Sequence, residues 1–240
     1  MAPSENGVNA GDGDGGGPAD GSEVTAAAER LFGIRLPMAR RFVEHLTTTA
    51  VERGLVGPHE VPRIWSRHVL NCAAVAELIP SGTGVADIGS GAGLPGVVLA
   101  IARPDVSVSL IEPMARRTTW LAEVLADLEL DTVRVVQARA EELRGDVLVE
   151  IATARAVAPL PRLWSLTVPL LRPGGTLLAI KGQRATQELE DARAELRRLG
   201  AASSRVDRCG VGLLDPPTTV VVVTRGRGGD GRRPGPMRST

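Results

Sequence analysis

The sequence predicts a doubly wound α/β fold, a mostly parallel sheet closed by an antiparallel hairpin and preceded by a helical cap. Three observations carry this reading. From about Ser81 onward, short β-branched or apolar runs alternate with helical stretches, the pattern of parallel strands joined by crossover helices. A glycine-rich turn over 89–96 stands between the first run and the first helix. The last two runs are separated only by a short Gly/Pro-rich loop, which permits antiparallel pairing but no crossover. At 240 residues and 43% hydrophobic composition, the chain is long and apolar enough to close such a core without metal or disulfide help.

In chain order, residues 1–23 contain seven Gly, five acids and no Lys or Arg. That composition cannot bury enough apolar area to offset its ordering entropy, so it reads as a disordered acidic tail. Residues 24–80 read as the cap, with helical spacing of Phe42 and Leu46 within Pro37–Arg53 and of Ile64, Trp65, Val69 and Leu70 within Pro62–Leu78. The α/β unit, 81–224, has predicted strands at Val85–Ile88, Val106–Ile111, Val133–Val136, Val147–Ala152 and Thr176–Ile180, with helices such as Thr118–Leu128 and Ala185–Leu199 between them. Ser203–Val206 and Thr219–Val223 form the closing hairpin, with Asp215-Pro216-Pro217-Thr218 as a turn and Cys209 as a loop thiol. Residues 225–240, with five Arg against one Asp, read as a flexible basic tail able to add salt-dependent attraction to RNA phosphates.

Charge and cysteine content remove several function classes. Lys plus Arg and Asp plus Glu both number 28, so any nucleic-acid contact must come from local patches. Two cysteines and three histidines give neither a disulfide framework nor a metal cluster. No apolar run approaches the roughly 18 residues of a membrane span, and a cytoplasmic, monomeric protein is expected. Among the 28 cations only Lys181 is lysine, which singles out that position, since a compact ammonium and a planar guanidinium are not equivalent where geometry matters.

The chemistry starts at Asp87-Ile88-Gly89-Ser90-Gly91-Ala92-Gly93-Leu94-Pro95-Gly96. A strand, a glycine turn and a helix start let backbone approach a small-molecule cofactor closely. Gly91-x-Gly93-x-x-Gly96 also matches the dinucleotide fingerprint, so the loop alone fits a nicotinamide as well as S-adenosylmethionine. Asp87, two residues before the first glycine, favours the second, because a carboxylate at the strand end suits a cationic ligand and repels a pyrophosphate. Glu112, closing the next strand, suits ribose hydroxyls in either case.

This block, with Leu110-Ile111-Glu112, Arg139-Ala140-Glu141-Glu142, Ala154-Arg155-Ala156-Val157 and Ile180-Lys181-Gly182, resembles the successive motifs of the RsmG (GidB) family, collinear from about Arg40 to Thr224. The resemblance implies a class I methyltransferase fold and transfer of a methyl group from S-adenosylmethionine to N7 of a guanine in 16S ribosomal RNA, met as the RNA itself or as a small ribosomal subunit precursor. It implies Gly89 and Leu94 on the methionine part of the cofactor, Glu112 on the ribose, Ala140 and Glu141 around the adenine, and Arg155 close by. The cap departs from the pattern at His45-Leu46-Thr47 and at His68-Val69-Leu70-Asn71-Cys72.

Beside the resemblance, Arg155 and Lys181 each end a predicted strand at the carboxyl edge, where open α/β sheets bind ligands, and are the expected catalytic residues. Lys181, two strands from the glycine loop, is expected to turn its ammonium toward the target base. Arg116 and Arg117 sit in the first turn of a helix, against its dipole, and with His68 and Lys181 are expected on the substrate side. Guanine N7 carries a free lone pair, so neither a proton acceptor nor a cysteine nucleophile is called for. The alternatives are an NAD(P)-dependent oxidoreductase and a non-catalytic ribosome assembly factor with a fold of the S-adenosylmethionine-binding type.

Overall fold

The structure, a computed structural model, describes residues 21–143 and 148–227. The cap is helical throughout, though not uniformly α. Helices α1 (Gly21–Phe32), α2 (Leu36–Thr47) and α3 (Thr49–Glu52) are followed by a 3₁₀ segment, Pro58–Arg63. A π-helical turn, Ile64–Val69, then leads into α4 (Leu70–Ala74) and a last 3₁₀ turn, Val75–Leu78. The predicted helix over Pro62–Leu78 is therefore one winding path that changes pitch three times, and Pro62, which has no N–H to give an α ladder, falls inside the 3₁₀ part.

Both expected tails reach too far into the fold. Helix α1 starts at Gly21, so 21–23 are helical, and it buries Ala27, Ala28 and Phe32. The Gly-rich, acidic composition of 1–23 masked only the first turn of α1, whose remaining residues lie in the expected cap. At the other end Arg225 closes the last strand and its guanidinium donates to the carbonyls of Val168 and Leu171. The rest of both tails, 1–20 and 228–240, and Val147 lie outside the described residues.

Strands β1 (Gly84–Ile88), β2 (Ser107–Ile111), β3 (Val133–Val136), β4 (Val149–Arg155), β5 (Leu171–Lys181), β6 (Ala201–Cys209) and β7 (Thr218–Arg225) form one sheet in the order β3-β2-β1-β4-β5-β7-β6. β1 to β5 are parallel, and β7 runs antiparallel to both β5 and β6. Helices α5 (Gly96–Ala102), α6 (Ala115–Asp127), α7 (Leu160–Thr167) and α8 (Ala185–Arg198) cover its faces. Cys209 is the buried last residue of β6, not a loop thiol. Strands β4 and β5 run past the expected Ala152 and Ile180 to Arg155 and Lys181, which pair in the ladder, so the sheet fixes where their side chains start.

Alternation along the strands sorts the core into two layers. Leu178, Ile180, Val220 and Val222 pack with α5, α6 and the cap, whereas Leu177, Ala179, Val221 and Val223 pack with α7 and α8. Trp120 and Trp164, one per layer, are fully buried, and each indole N–H is satisfied, by Thr49 Oγ1 at 2.9 Å and by the Leu199 carbonyl at 3.2 Å. Among the described residues no helix is long and apolar enough to cross a membrane.

Candidate active site at the carboxyl edge

The loop from Gly89 to Pro95 leaves β1 at the carboxyl edge and is fixed by its own backbone. The amides of Gly89 and Ser90 both donate to the Ile111 carbonyl of β2, at 2.8 and 3.2 Å, and those of Gly93 and Leu94 return to the Ser90 carbonyl. The glycines serve different purposes. At Gly96 an added Cβ would lie 2.3 Å from Leu110 and 2.7 Å from the Asp87 carboxylate, so this residue lets α5 seat against the sheet. At Gly91, φ is +56° and a Cβ would meet nothing nearer than the Gly89 carbonyl at 3.8 Å. It is demanded by the left-handed turn, and its Cβ position faces open space.

Asp87 does not present a charge to that space. Its side chain is fully buried behind the loop, where Oδ2 accepts the Gly96 amide at 3.0 Å and Oδ1 accepts the Thr153 hydroxyl at 3.1 Å. Burial pushes its pKa up to about 7. The expected role of Asp87 as a counter-charge for a cationic ligand is thus corrected: it ties β1, β4 and the start of α5 together and shapes the loop from behind. Thr153, its partner, carried no signal of its own in the sequence.

Glu112, directly after β2, is fully buried. One oxygen accepts the Gly91 amide at 3.1 Å, the other the Met114 amide at 3.0 Å, and Arg117 approaches at 3.4 Å. These three donors leave about one of the four lone-pair sites of a carboxylate for a further partner. Arg116, by contrast, is exposed, Ala140 is buried at the start of the 3₁₀ turn Ala140–Leu143, and Glu141 beside it is exposed.

Half-buried Arg155 has its partners in the cap, and among the described residues none of them is a carboxylate. Its guanidinium lies 2.6 Å from His68 Nδ1, 3.4 Å from the Arg67 carbonyl and 3.6 Å from Cys72 Sγ. His68 Nε2 in turn meets Glu60 at 2.6 Å. Guanidinium only donates, so Nδ1 accepts and His68 is the neutral Nε2–H tautomer. Burial, then the Arg155 charge, hold the imidazole below its ordinary pKa, and burial pushes the Cys72 thiol up to about 11. Glu60 had no motif to mark it, since eight residues and a change of helix pitch separate it from His68. The next residue, Ala156, has φ +54°, a strained left-handed conformation that sets Val157 against Gly89.

Lys181 departs from expectation. Its ammonium donates to Glu188 Oε1 at 2.8 Å and to the Ala158 carbonyl at 3.2 Å, and the same Glu188 oxygen accepts the Leu160 amide at the start of α7. The lysine is held toward α8 and the β4–α7 connection, because Glu188, one turn into α8, stands closer than open space at the sheet edge. His45 is likewise structural, bridging α2 to Asp127 of α6 at 2.8 Å. Asn71 accepts the Thr218 hydroxyl at 3.1 Å.

A cleft of about 540 Å³ at the opposite, amino edge of the sheet is lined by Gly84, Ser107, Arg134, Glu150 and Arg172. Arg172 pairs with Glu150 and Arg134 donates to Ser109, and strand amino ends are not where open α/β sheets bind ligands. The glycine loop, Glu112 and the Arg155 cluster all lie at the carboxyl edge.

Among solved structures, an S-adenosyl-L-methionine-dependent methyltransferase fold from Methanococcus maripaludis superposes with TM-score 0.53 at 13% identity, over 78% of this chain and 92% of that one. A protein from Corynebacterium glutamicum gives TM-score 0.51 at 20% identity, over 80% and 92%. At such identities these show the fold alone, the class I methyltransferase architecture. Sequence relatives go further. The ribosomal RNA small subunit methyltransferase G of Thermobifida fusca is 58% identical over 82% of this chain and 84% of its own length. That of Pseudarthrobacter chlorophenolicus is 55% identical over 83% and 94%. The family profile of rRNA small subunit methyltransferase G (GidB) matches residues 35–214, and the chain belongs to that family.

Proposed function

We propose that this chain transfers a methyl group from S-adenosylmethionine to N7 of a guanine in 16S ribosomal RNA. The observation that carries the choice of N7 is that the side chains able to act as base or nucleophile at the carboxyl edge are already committed. His68 uses both ring nitrogens, on Glu60 and Arg155, and Cys72 is a buried thiol rather than a thiolate. An exocyclic amine would need its proton taken and a pyrimidine carbon would need a thiolate, whereas N7 attacks with its own lone pair. Catalysis then rests on positioning in a water-poor site.

The residues present fit the cofactor. When bound, S-adenosylmethionine supplies an electrophilic sulfonium methyl. The backbone of Gly89 and Gly91, with Leu94, would hold its methionine part; Glu112, with its remaining acceptor capacity, would take a ribose hydroxyl; Ala140 and Glu141 would border the adenine. Arg155 and the exposed Arg116 are the groups suited to guanine O6 and RNA phosphate, since guanidinium donors leave N7 free. Gly93 and Asp87 support the loop from behind, and Lys181 and Arg117 hold neighbouring segments in place. The oxidoreductase and assembly-factor alternatives find no support in the family.

The test is mass mapping of modified nucleosides in 16S ribosomal RNA from cells with and without the protein. One 7-methylguanosine should vanish without it. Unchanged mapping, or thermal stabilisation of the protein by NAD and none by S-adenosylmethionine, would overturn the proposal.

A further inference from the structure

The carboxyl edge of β4 ends in a cation whose short contact is to the cap. Arg155 pairs with Ile180 of β5 in the sheet, and its neighbour Ala154 pairs with Ile88, the last residue before the glycine loop. The strand thus delivers the guanidinium next to the loop, but a flexible three-carbon stem does not fix where it points. Of its three polar contacts only the one to His68 Nδ1, 2.6 Å, is short. His68 lies in the π-helical turn Ile64–Val69, a wider winding that recurs at functional sites. Its ring is oriented from the far side by Glu60, also at 2.6 Å, from the 3₁₀ segment Pro58–Arg63. A carboxylate behind an imidazole sets the tautomer and so makes the other ring nitrogen an acceptor.

We propose that Glu60 and His68 are positioning residues for Arg155, which aim its guanidinium at the methyl-transfer edge through the chain Glu60–His68–Arg155. The inference rests on the methyltransferase reading above. The charged groups acting on the imidazole are Glu60 and Arg67 on the cap side and Arg155 on β4; Arg63 acts on Glu60 behind it, and Arg155 and Asp87 act on the Cys72 thiol. Acidification places a proton on Nδ1, opposite a group that can only donate, and the contact to Arg155 is lost.

Three measurements test this. The first is a double-mutant cycle on kcat/KM for methyl transfer to 16S ribosomal RNA. Arg155→Ala should lose tenfold or more, His68→Ala fivefold or more, and the double variant should be no worse than Arg155→Ala, because the imidazole acts only through the guanidinium. Losses that multiply, or a His68→Ala within twofold of the wild type, overturn the proposal. Should His68→Ala fail to fold, Glu60→Ala with Arg155→Ala completes the same cycle, with the same outcomes deciding. The second is conservative rescue: Glu60→Gln, still an acceptor for Nε2–H, should lose less than Glu60→Ala, and equal losses count against the proposal. The third is independent of activity. Nitrogen-15 NMR of the folded protein at pH 7.5 should report His68 as the Nε2–H tautomer, shifting to a mixture only when Glu60 and Arg155 are both replaced by Ala. A mixture in the wild type overturns the chain of contacts whatever the activity, whereas a single tautomer in a protein that methylates no 16S ribosomal RNA overturns the reaction assigned and leaves the contacts standing.

Discussion

At the scale of single residues, one motif divides into different physical jobs. Gly96→Ala forces a Cβ into Leu110 and the Asp87 carboxylate, and overpacking of that kind costs about 1–3 kcal/mol, visible as a lowered urea midpoint. Gly91→Ala has room for its Cβ but not the backbone freedom, so it should lose about 1 kcal/mol of stability and weaken S-adenosylmethionine binding more than Gly96→Ala does, read by calorimetric titration. Asp87 carries a pH signature. Its folded pKa, about 7, lies above the value of an unfolded aspartate, so the stability it contributes is present at low pH and is lost as pH rises through about 7. Asp87→Asn should therefore gain on the wild type between about pH 4 and 7, measured by urea unfolding at pH 5 and pH 8. A gain for the wild type over that range would show that the carboxylate is stabilised by its hydrogen bonds more than burial disfavours it.

Elements act as holders of the site. Phe32, the last residue of α1, stacks edge-on with Trp65 of the π-helical turn at 6.4 Å, so the helix partly hidden by tail composition braces the segment that carries His68. Phe32→Ala should cost about 3–5 kcal/mol and lower methyl transfer along with stability. Its effect on transfer should largely vanish when assayed well below the new melting temperature, unless the π-helical turn itself has moved. At the other side of the sheet, Lys181 links β5 to α8 and the start of α7. Lys181→Met should destabilise by about 1–2 kcal/mol, the scale of a hydrogen bond to a charged group, with S-adenosylmethionine affinity within about twofold. Lys181→Met with native stability and transfer reduced a hundredfold would return the ammonium to the target base.

On the scale of the whole molecule, cap and sheet share one apolar cluster. Ala28, Phe42, Leu46 and Val69 pack together with Val85, Leu99 and Val220. A single cooperative unfolding transition is expected, coincident by far- and near-ultraviolet circular dichroism, with no stage at which the sheet survives and the cap is lost. This sharing also bears on function, because the cap residues that meet Arg155 are anchored through the same core as the glycine loop.

The fold class, the strand and helix sequence, the closing hairpin and the glycine loop with Glu112 were all legible from sequence, because each rests on local periodicity or on a run of a few adjacent residues. The motif block was also enough for the family. What remained hidden lies in pairings across the chain. Glu60 with His68, Thr153 with Asp87 and Glu188 with Lys181 join residues on different elements, and no spacing rule marks such partners. Direction was equally out of reach. The sequence put Asp87 and Lys181 at the right edge of the sheet, but whether a carboxylate or an ammonium turns toward open space or back into the protein depends on which donor or acceptor the packed neighbours bring within 3 Å. Only the tertiary structure supplies those neighbours, and it turned both inward.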